Sequence, residues 1–412
     1  MNPLPLHKFH GGSGARFTEV NGMEVVEHYG DPPAEYAALR EAAGVLDLSL
    51  RSRLCLLGTD RQKFLNGQVT NNVKDLKVGE GCYAALVNAK GKMQSDLNIY
   101  ILPDEILLDF EPGYGAAVAQ RLEKYIIADD VQVTDVAPHY GLLSVQGSKA
   151  AEALKGLAFE WANPQPTAAP NQEGNQPRPG SSREGQRQTA DVAWFSSRGA
   201  DEGGSVRAIV QPPAQAMSFV SLKDAALGEI YLVNAPRLGT SGFDLFVPVA
   251  ALEALAERLV TAARAVGGCL CGWRALEMAR IEAGIPRFGV DIDETNLPLE
   301  AGIQARAISY TKGCYIGQEV IARVRTYGQV AKALRGLRLD DSIGVLPRKG
   351  DKLYSGGKEI GYITSAVASP AFQSNIALGY VRREHNEMGA ELTLCTSQGE
   401  SLARVVPLPS PR

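Results

Sequence analysis

The sequence predicts an α+β fold built from more than one domain, and three observations predict it. The chain has 412 residues, long enough for two or three domains. Up to residue 290, segments with helical apolar spacing alternate with short strand-like runs and turn residues, the pattern of sheets with helices packed on one face. Beyond Arg335 only short strand-like runs remain, as in a small closed antiparallel β-domain.

Composition narrows the class. Hydrophobic residues make up 45% and charged residues 21%, ordinary values for a globular protein. The net charge of −4 argues against polyanion binding by bulk electrostatics, though a local basic patch remains compatible with it. The sequence has no run of about 18 apolar residues, so no membrane span is expected. Met1-Asn2-Pro3-Leu4-Pro5 lacks the charged-then-apolar layout of a signal peptide, and a cytoplasmic location is the expectation.

In chain order, residues 1–33 read as an irregular arm with a short hairpin. Tyr36, Leu39 and Ala43 recur at helical spacing over 34–43, and Gly44 follows as a C-cap candidate. A strand begins at Val45. Thr59-Asp60 suits an N-cap for a short helix over 61–66. Strands are expected over 82–88, 96–101, 106–110, 131–136 and 142–146, with a helix over 115–127 and another capped by Ser148. Ferredoxin-like units fit this alternation. Residues 162–190 contain Pro, Gln, Asn, Gly, Ser, Arg and Ala without a large apolar side chain. They cannot bury enough surface to offset their ordering entropy, so a flexible insert is expected. Strand-like sequence resumes at 192–195 and continues at 206–210, 229–234 and 243–247. Leu252, Leu255, Leu259, Ala263 and Val266 form the apolar stripe of a long helix, and 273–282 reads as another.

The six cysteines form no C-x-x-C pair, and neither they nor the five histidines show metal-ligand spacing, so no metal site is expected. Cys269-x-Cys271 is the only close pair and reads as two small residues between elements in a reduced compartment. The strongest nucleophile candidate is Cys314 in Lys312-Gly313-Cys314-Tyr315-Ile316-Gly317-Gln318-Glu319. A thiol reacts as the thiolate, which a neighbouring cation favours; Lys312 and Arg323 are near in sequence. Gln318 supplies a donor and acceptor, and Glu319 an acceptor. Residues 312–338 hold six basic side chains and one acidic one. That stretch suits phosphates or a polyanionic tail, but its plain reading is a solvated strand face. Sequence-specific nucleic-acid binding is not expected, since no recognition motif accompanies it.

Taken with Arg280-Ile281-Glu282-Ala283-Gly284-Ile285-Pro286-Arg287-Phe288-Gly289 and Asn296-Leu297-Pro298-Leu299-Glu300-Ala301, the Cys314 segment resembles the YgfZ/GcvT-like folate-binding family, relatives of the glycine-cleavage T-protein. K-G-C-Y-x-G-Q-E-x-x-x-R is similar to the signature of the YgfZ branch. The resemblance runs from about Leu6 to the C-terminus, apart from the insert. It implies a GcvT-like three-domain cloverleaf: two ferredoxin-like α+β domains and a C-terminal antiparallel β-barrel. On that plan 1–50 with 140–250 form the first, folate-binding domain, 51–139 with 251–290 the second, and 291–412 the signature loop and barrel.

The resemblance also implies a cofactor, tetrahydrofolate or a one-carbon derivative, and places candidates for holding it. Gly91-Lys92-Met93-Gln94-Ser95-Asp96-Leu97 lies where the T-protein pattern is G-G-x-x-D-D-L, with Asp96 retained and Ser95 in the other position. Gly239-Thr240-Ser241-Gly242-Phe243-Asp244 resembles G-E-D-G-[FY]-E, with Thr240 for the first carboxylate and Asp244 for the second. Arg280 and Glu282 match L-R-x-E-A-G, the arginine carried over as a folate contact. Tyr83 and Phe288 are further pocket candidates, and Arg323 a further basic contact. The implied function is folate-linked support of iron–sulfur cluster assembly or repair, with Cys314, Lys312, Gln318 and Glu319 as the working group and client enzymes or assembly factors as partners. The alternative is a folate-dependent aminomethyltransferase, against which Ser95 and Thr240 weigh. A third reading, an RNA-associated module linked to tRNA modification, rests on the basic stretch alone.

Overall fold

The computed structural model describes residues 1–160, 207–209, 211–341 and 343–407. The expected insert at 162–190 and the strand at 192–195 lie outside the described residues.

Two sheets and a barrel organise the chain. The six-stranded sheet runs in the order Phe219–Asp224, Gly228–Asn234, Gly242–Pro248, Tyr140–Gln146, Gly44–Asp47, Cys269–Leu270; only the last pair is parallel. Both of its faces are buried. Leu252, Leu255 and Leu259 of the helix Leu252–Ala265 cover one face with Val45, Leu143 and Leu245. On the other, Leu46, Leu142 and Phe246 meet Tyr36 and Leu39 of the helix Pro32–Glu41, Ala275 and Ala279 of the helix Trp273–Glu282, and Tyr100 of the second sheet. The long helix at 252–265 therefore packs on this sheet, not on the five-stranded one with which the sequence plan grouped it. Its apolar stripe fixes that it is buried, but not against what.

The five-stranded sheet is antiparallel, ordered Gly81–Val87, Met93–Ile101, Ile106–Phe110, Ser52–Leu57, Gln132–Asp135. The helices Arg61–Gln68 and Gly115–Glu123 cover one face through Phe64, Leu65, Val118 and Leu122. Asp60 precedes the first of these helices without capping it through its side chain. Its carboxylate instead accepts from the Asp130 N–H at 3.0 Å.

Six antiparallel strands between Lys332 and Val406 close into a barrel around Leu337, Leu353, Ile363, Val381 and Leu394. Between sheet and barrel, Gln318–Tyr327 is a helix, so Arg323 and Arg325 are not on the strand face expected from sequence, whereas Lys332, Arg335 and Arg338 are on the strand Lys332–Leu339. The N-terminal arm does hold a hairpin, Arg16–Val20 against Met23–His28, and also a short helix, His7–Gly12.

A continuous series of buried ion pairs crosses all three parts. Asp244 pairs with Arg237, Arg237 with Asp109, Asp109 with Arg51, and Arg51 with Glu111. Glu111 pairs with Arg287, Arg287 with Glu277, Glu277 with Arg280, and Arg280 with Asp291. The far oxygen of Asp291 accepts from the barrel hydroxyls of Thr364 and Ser365, both at 2.6 Å. Removing one partner from such a pair strands a buried charge. Burial alone would raise the Asp291 carboxyl, but Arg280 and the two hydroxyls hold it below the usual value. Its stabilisation is thus complete above about pH 4 and lost as pH falls through the depressed folded value. Asp291→Ala is expected to cost about 3–5 kcal/mol in denaturant unfolding. Asp291→Asn is expected to flatten the acid limb of a stability–pH profile relative to the parent chain.

Candidate functional site

The strand Met93–Ile101 shows how the site is made. Successive side chains alternate between the faces of a strand. Ser95, Leu97 and Ile99 enter the core and are fully buried. Asp96, Asn98 and Tyr100 take the other face and line a cleft of about 400 Å³. Neighbouring strands add Tyr83, paired with Asn98, and Glu111. Met217 and the turn Ala235-Pro236-Arg237 form the wall from the six-stranded sheet. Ile285-Pro286-Arg287, which follows the helix Trp273–Glu282, and Arg306 add to the lining, as do Arg51, Asn71 and Cys82.

The cleft's polar groups divide into engaged and unengaged ones. Arg237 donates from Nε to both oxygens of Asp244 at 2.9 and 3.1 Å, and from an NH2 nitrogen to Asp109 at 2.9 Å. Glu111 accepts from Arg51 at 3.0 Å and from Arg287 at 3.0 and 2.8 Å. Asp96 differs. One oxygen accepts from the Tyr83 hydroxyl at 2.8 Å, while Oδ1 is buried without a partner. The Tyr100 hydroxyl, on the same face, is likewise buried and unpaired. Buried polar atoms are rarely left so, and both of these belong to residues that line the cleft. Burial, and then the charge of Glu111, raise the Asp96 carboxyl above the usual range. Burial also pushes Glu111 upward, but Arg287 and Arg51 outweigh it and keep that carboxyl low. At the rim the exposed Arg306 guanidinium lies over the Tyr83 ring, 4.8 Å from its centroid.

Of the residues singled out from sequence, Asp96 and Tyr83 line this cleft. Ser95 faces the core, so the carboxylate retained from the D-D pattern is the cleft-facing one. Arg280 and Glu282 stand elsewhere. Arg280 is sequestered by Asp291, Glu277 and Ser365 where the helix meets the barrel. Glu282 accepts from Tyr36 at 2.5 Å and from the Ser369 hydroxyl. Asp244 is fully buried, with both oxygens on Arg237. Phe288 is core, edge-on to Tyr114. Arg237, Glu111, Arg287 and Tyr100 were missed. Their only sequence cue was proximity to the motifs, because their meeting depends on how the two sheets oppose each other.

The Cys314 segment forms a separate surface feature. Lys312 Nζ donates to the carbonyls of Asn66, Val69 and Asn71 at 2.6, 2.8 and 2.7 Å. It thereby satisfies orphan carbonyls at the end of the helix Arg61–Gln68, an anchoring role for a cation at a helix C-terminus. Burial lowers its pKa to about 8. Lys312 is thus committed to these carbonyls and is not the thiol's activator that the sequence suggested. Tyr315 is buried with Ile308, Ile321 and Met93. Gly317 has φ +83°, and a Cβ there would lie 2.5 Å from the Asn88 carbonyl oxygen. The Gln318 side chain accepts from the Tyr315 N–H at 3.3 Å. Between these anchors Cys314 is exposed, as are Glu319 and Arg323 on the following helix. None of the three lines the cleft. Among the described residues no cluster of three or more His, Cys, Asp or Glu could hold a metal ion, and no helix is long and apolar enough to cross a membrane.

Comparison with known proteins matches this architecture. Residues 6–166 and 203–312 match the GCVT N-terminal domain model, and 332–410 match the glycine cleavage T-protein C-terminal barrel domain. The unmatched stretch between 166 and 203 contains most of the expected insert. An aminomethyltransferase of Halalkalibacterium halodurans is 25% identical over 410 residues, covering 99% of this chain and 98% of the relative. A probable aminomethyltransferase of Natronomonas pharaonis is 28% identical, with 98% of each chain covered. The crystal structure of the glycine cleavage system aminomethyltransferase T from Bartonella henselae superposes with a TM-score of 0.77 at 22% identity, over 99% of this chain and 97% of that one, a likeness of fold. By its two domain matches, set on the sheet pair and closed barrel described above, this chain belongs to the glycine-cleavage T-protein (GcvT) family.

Proposed function

We propose that the central cleft binds a reduced folate, tetrahydrofolate or a one-carbon derivative, and that the chain uses it in one-carbon transfer of the aminomethyl kind. The observation that carries this reading is the unpaired Asp96 Oδ1 on a strand face that lines the cleft; the Tyr100 hydroxyl, four residues further along the same strand, is unpaired too. A pterin edge presents N–H donors that a carboxylate oxygen accepts. Tyr83, Tyr100, Met217 and Pro286 offer the apolar and aromatic surface a flat ring needs. Arg306 at the rim suits the anionic tail of a folate. The bound folate would supply the nitrogen that takes the one-carbon unit. Asp96, held by Tyr83, keeps its proton to higher pH than an ordinary carboxyl, which suits it to exchange a proton with a weakly basic nitrogen. The relatives' names support the aminomethyl part of the reading.

A second reading rests on a different observation, the exposed Cys314 presented between buried anchors in a segment resembling the YgfZ branch. In it the folate-bound protein supports iron–sulfur clusters in client enzymes, with Cys314 as the ligating or redox thiol. One thiolate cannot hold a cluster, so a client or assembly factor would supply the other ligands.

Calorimetric titration with tetrahydrofolate tests the shared premise. Asp96→Asn is expected to weaken binding by about 10- to 100-fold, the worth of one charge-assisted hydrogen bond of about 1.5–3 kcal/mol; unchanged affinity would remove the premise. If the ionised carboxylate is the acceptor, affinity should fall on acidification at a pH above the ordinary carboxylate range, as the raised Asp96 group takes up its proton. Cys314→Ser is expected to leave folate affinity unchanged. Loss of cluster-enzyme rescue by that variant in a deletion strain, with aminomethyl transfer absent from the parent chain, would select the second reading. Gly317→Ala is expected to cost about 1–3 kcal/mol in thermal unfolding, because a side chain is forced into left-handed backbone against a carbonyl.

A further inference from the structure

Outside the cleft lining, the sequence Gly267-Gly268-Cys269-Leu270-Cys271-Gly272 closes the edge of the six-stranded sheet. Cys269 and Cys271 stand two apart on extended backbone and so share one face. Their sulfurs lie 4.0 Å apart, the one thiol–thiol contact seen among the described residues. The fold makes room for the second sulfur. A Cβ on Gly44, in the neighbouring strand, would fall 2.8 Å from Cys271 Sγ. The two thiols differ in access. Cys269 is half-buried and Cys271 is sealed, its sulfur 3.2 Å from the Glu35 carbonyl oxygen. They differ in acidity in the same sense. The Cys271 S–H beside it makes Cys269 more acidic than an ordinary thiol, whereas burial pushes Cys271 well up. That asymmetry separates an attacking thiol from a resolving one.

We propose that Cys269 and Cys271 form a redox-active dithiol that closes to an intramolecular disulfide by exchange with a small disulfide of the glutathione class. In the first step Cys269 thiolate attacks the small disulfide; one S–S bond breaks, one forms, and one small thiol leaves. Cys271 then attacks the mixed disulfide at the Cys269 sulfur, its proton passing to the departing thiolate, and expels the second small thiol. Two protein thiols are oxidised and one small disulfide is reduced to two thiols. The sulfurs must close from 4.0 Å to about 2.05 Å. The inference is independent of the folate reading.

The test is to equilibrate the full chain with oxidised glutathione, quench with an alkylating agent and read the peptides by mass. The peptide spanning 269–271 is expected to lose two hydrogens and to resist alkylation. The exposed Cys314, in the same sample, is expected to carry a stable glutathione adduct. Cys271→Ser is expected to convert the product into a glutathione adduct on Cys269, and Cys269→Ser to abolish both products at this site. A parent chain whose 269–271 peptide stays fully alkylatable while Cys314 is modified would overturn the proposal. So would a lasting adduct on Cys269 with Cys271 still free.

Discussion

Asp109 and its two guanidinium partners are the interaction on which the arrangement of the lobes depends. The carboxylate sits in the five-stranded sheet, completely buried, and takes Arg51 from its own lobe and Arg237 from the other. Burial opposes its charge, but the two arginines more than compensate and hold it far below the usual range. From there the alternation of acid and base runs outward to Asp244 on one side and to Asp291 and the barrel on the other. Each buried charge in the series is tolerated only because the next one is in place. Such a network is poor evidence of large net stability, since desolvation offsets much of the Coulomb gain. Its effect is to penalise any other way of opposing the two sheets.

The same network sets the chemistry of the cleft. Glu111 and Asp96 share one face of one sheet, yet their environments push them in opposite directions. Two arginines stabilise the charge on Glu111. Asp96 has the Tyr83 hydroxyl and the more distant Arg51 charge, which do not offset its burial and the field of Glu111. A pair of neighbouring carboxyls driven apart in this way yields one fixed anion and one group poised to hold or release a proton. The two orphaned atoms, Asp96 Oδ1 and the Tyr100 hydroxyl, follow from the same geometry: the arginines that might have satisfied them are already committed.

The cysteines are separated into environments that give them different chemistry. Burial pushes Cys82, at the cleft, to about 12 and Cys55, in the core, higher still, so both remain thiols. Cys314 is presented to solvent by a segment whose flanking side chains are anchored inward. Cys269 and Cys271 face each other at a sheet edge. Anchoring Lys312 to three carbonyls spends the cation that sequence proximity had assigned to Cys314.

The sequence by itself determined the class, most of the elements and the family. Apolar period and turn residues marked the strands at 106–110 and 142–146, the helix at 273–282 and the barrel, because these signals are local. The family motifs pointed to Asp96 and Tyr83. The helix at 318–327 escaped because the β-branched Val320, Ile321 and Val324 between Gly317 and Gly328 suit a strand as well as a helix, and the strand at 219–224 because nothing local sets it apart. Tertiary structure alone decided that Ser95 faces inward and Asp96 outward, since that follows from the register of a pleated sheet against its neighbours. It also decided that Arg280, Glu282 and Asp244 are structural links and not cleft residues, and that Arg237, Glu111 and Arg287 belong to the cleft. A buried charge takes its role from the partner that reaches it, and Arg287 for Glu111, Asp109 for Arg237 and Tyr36 for Glu282 lie 176, 128 and 246 residues away in sequence.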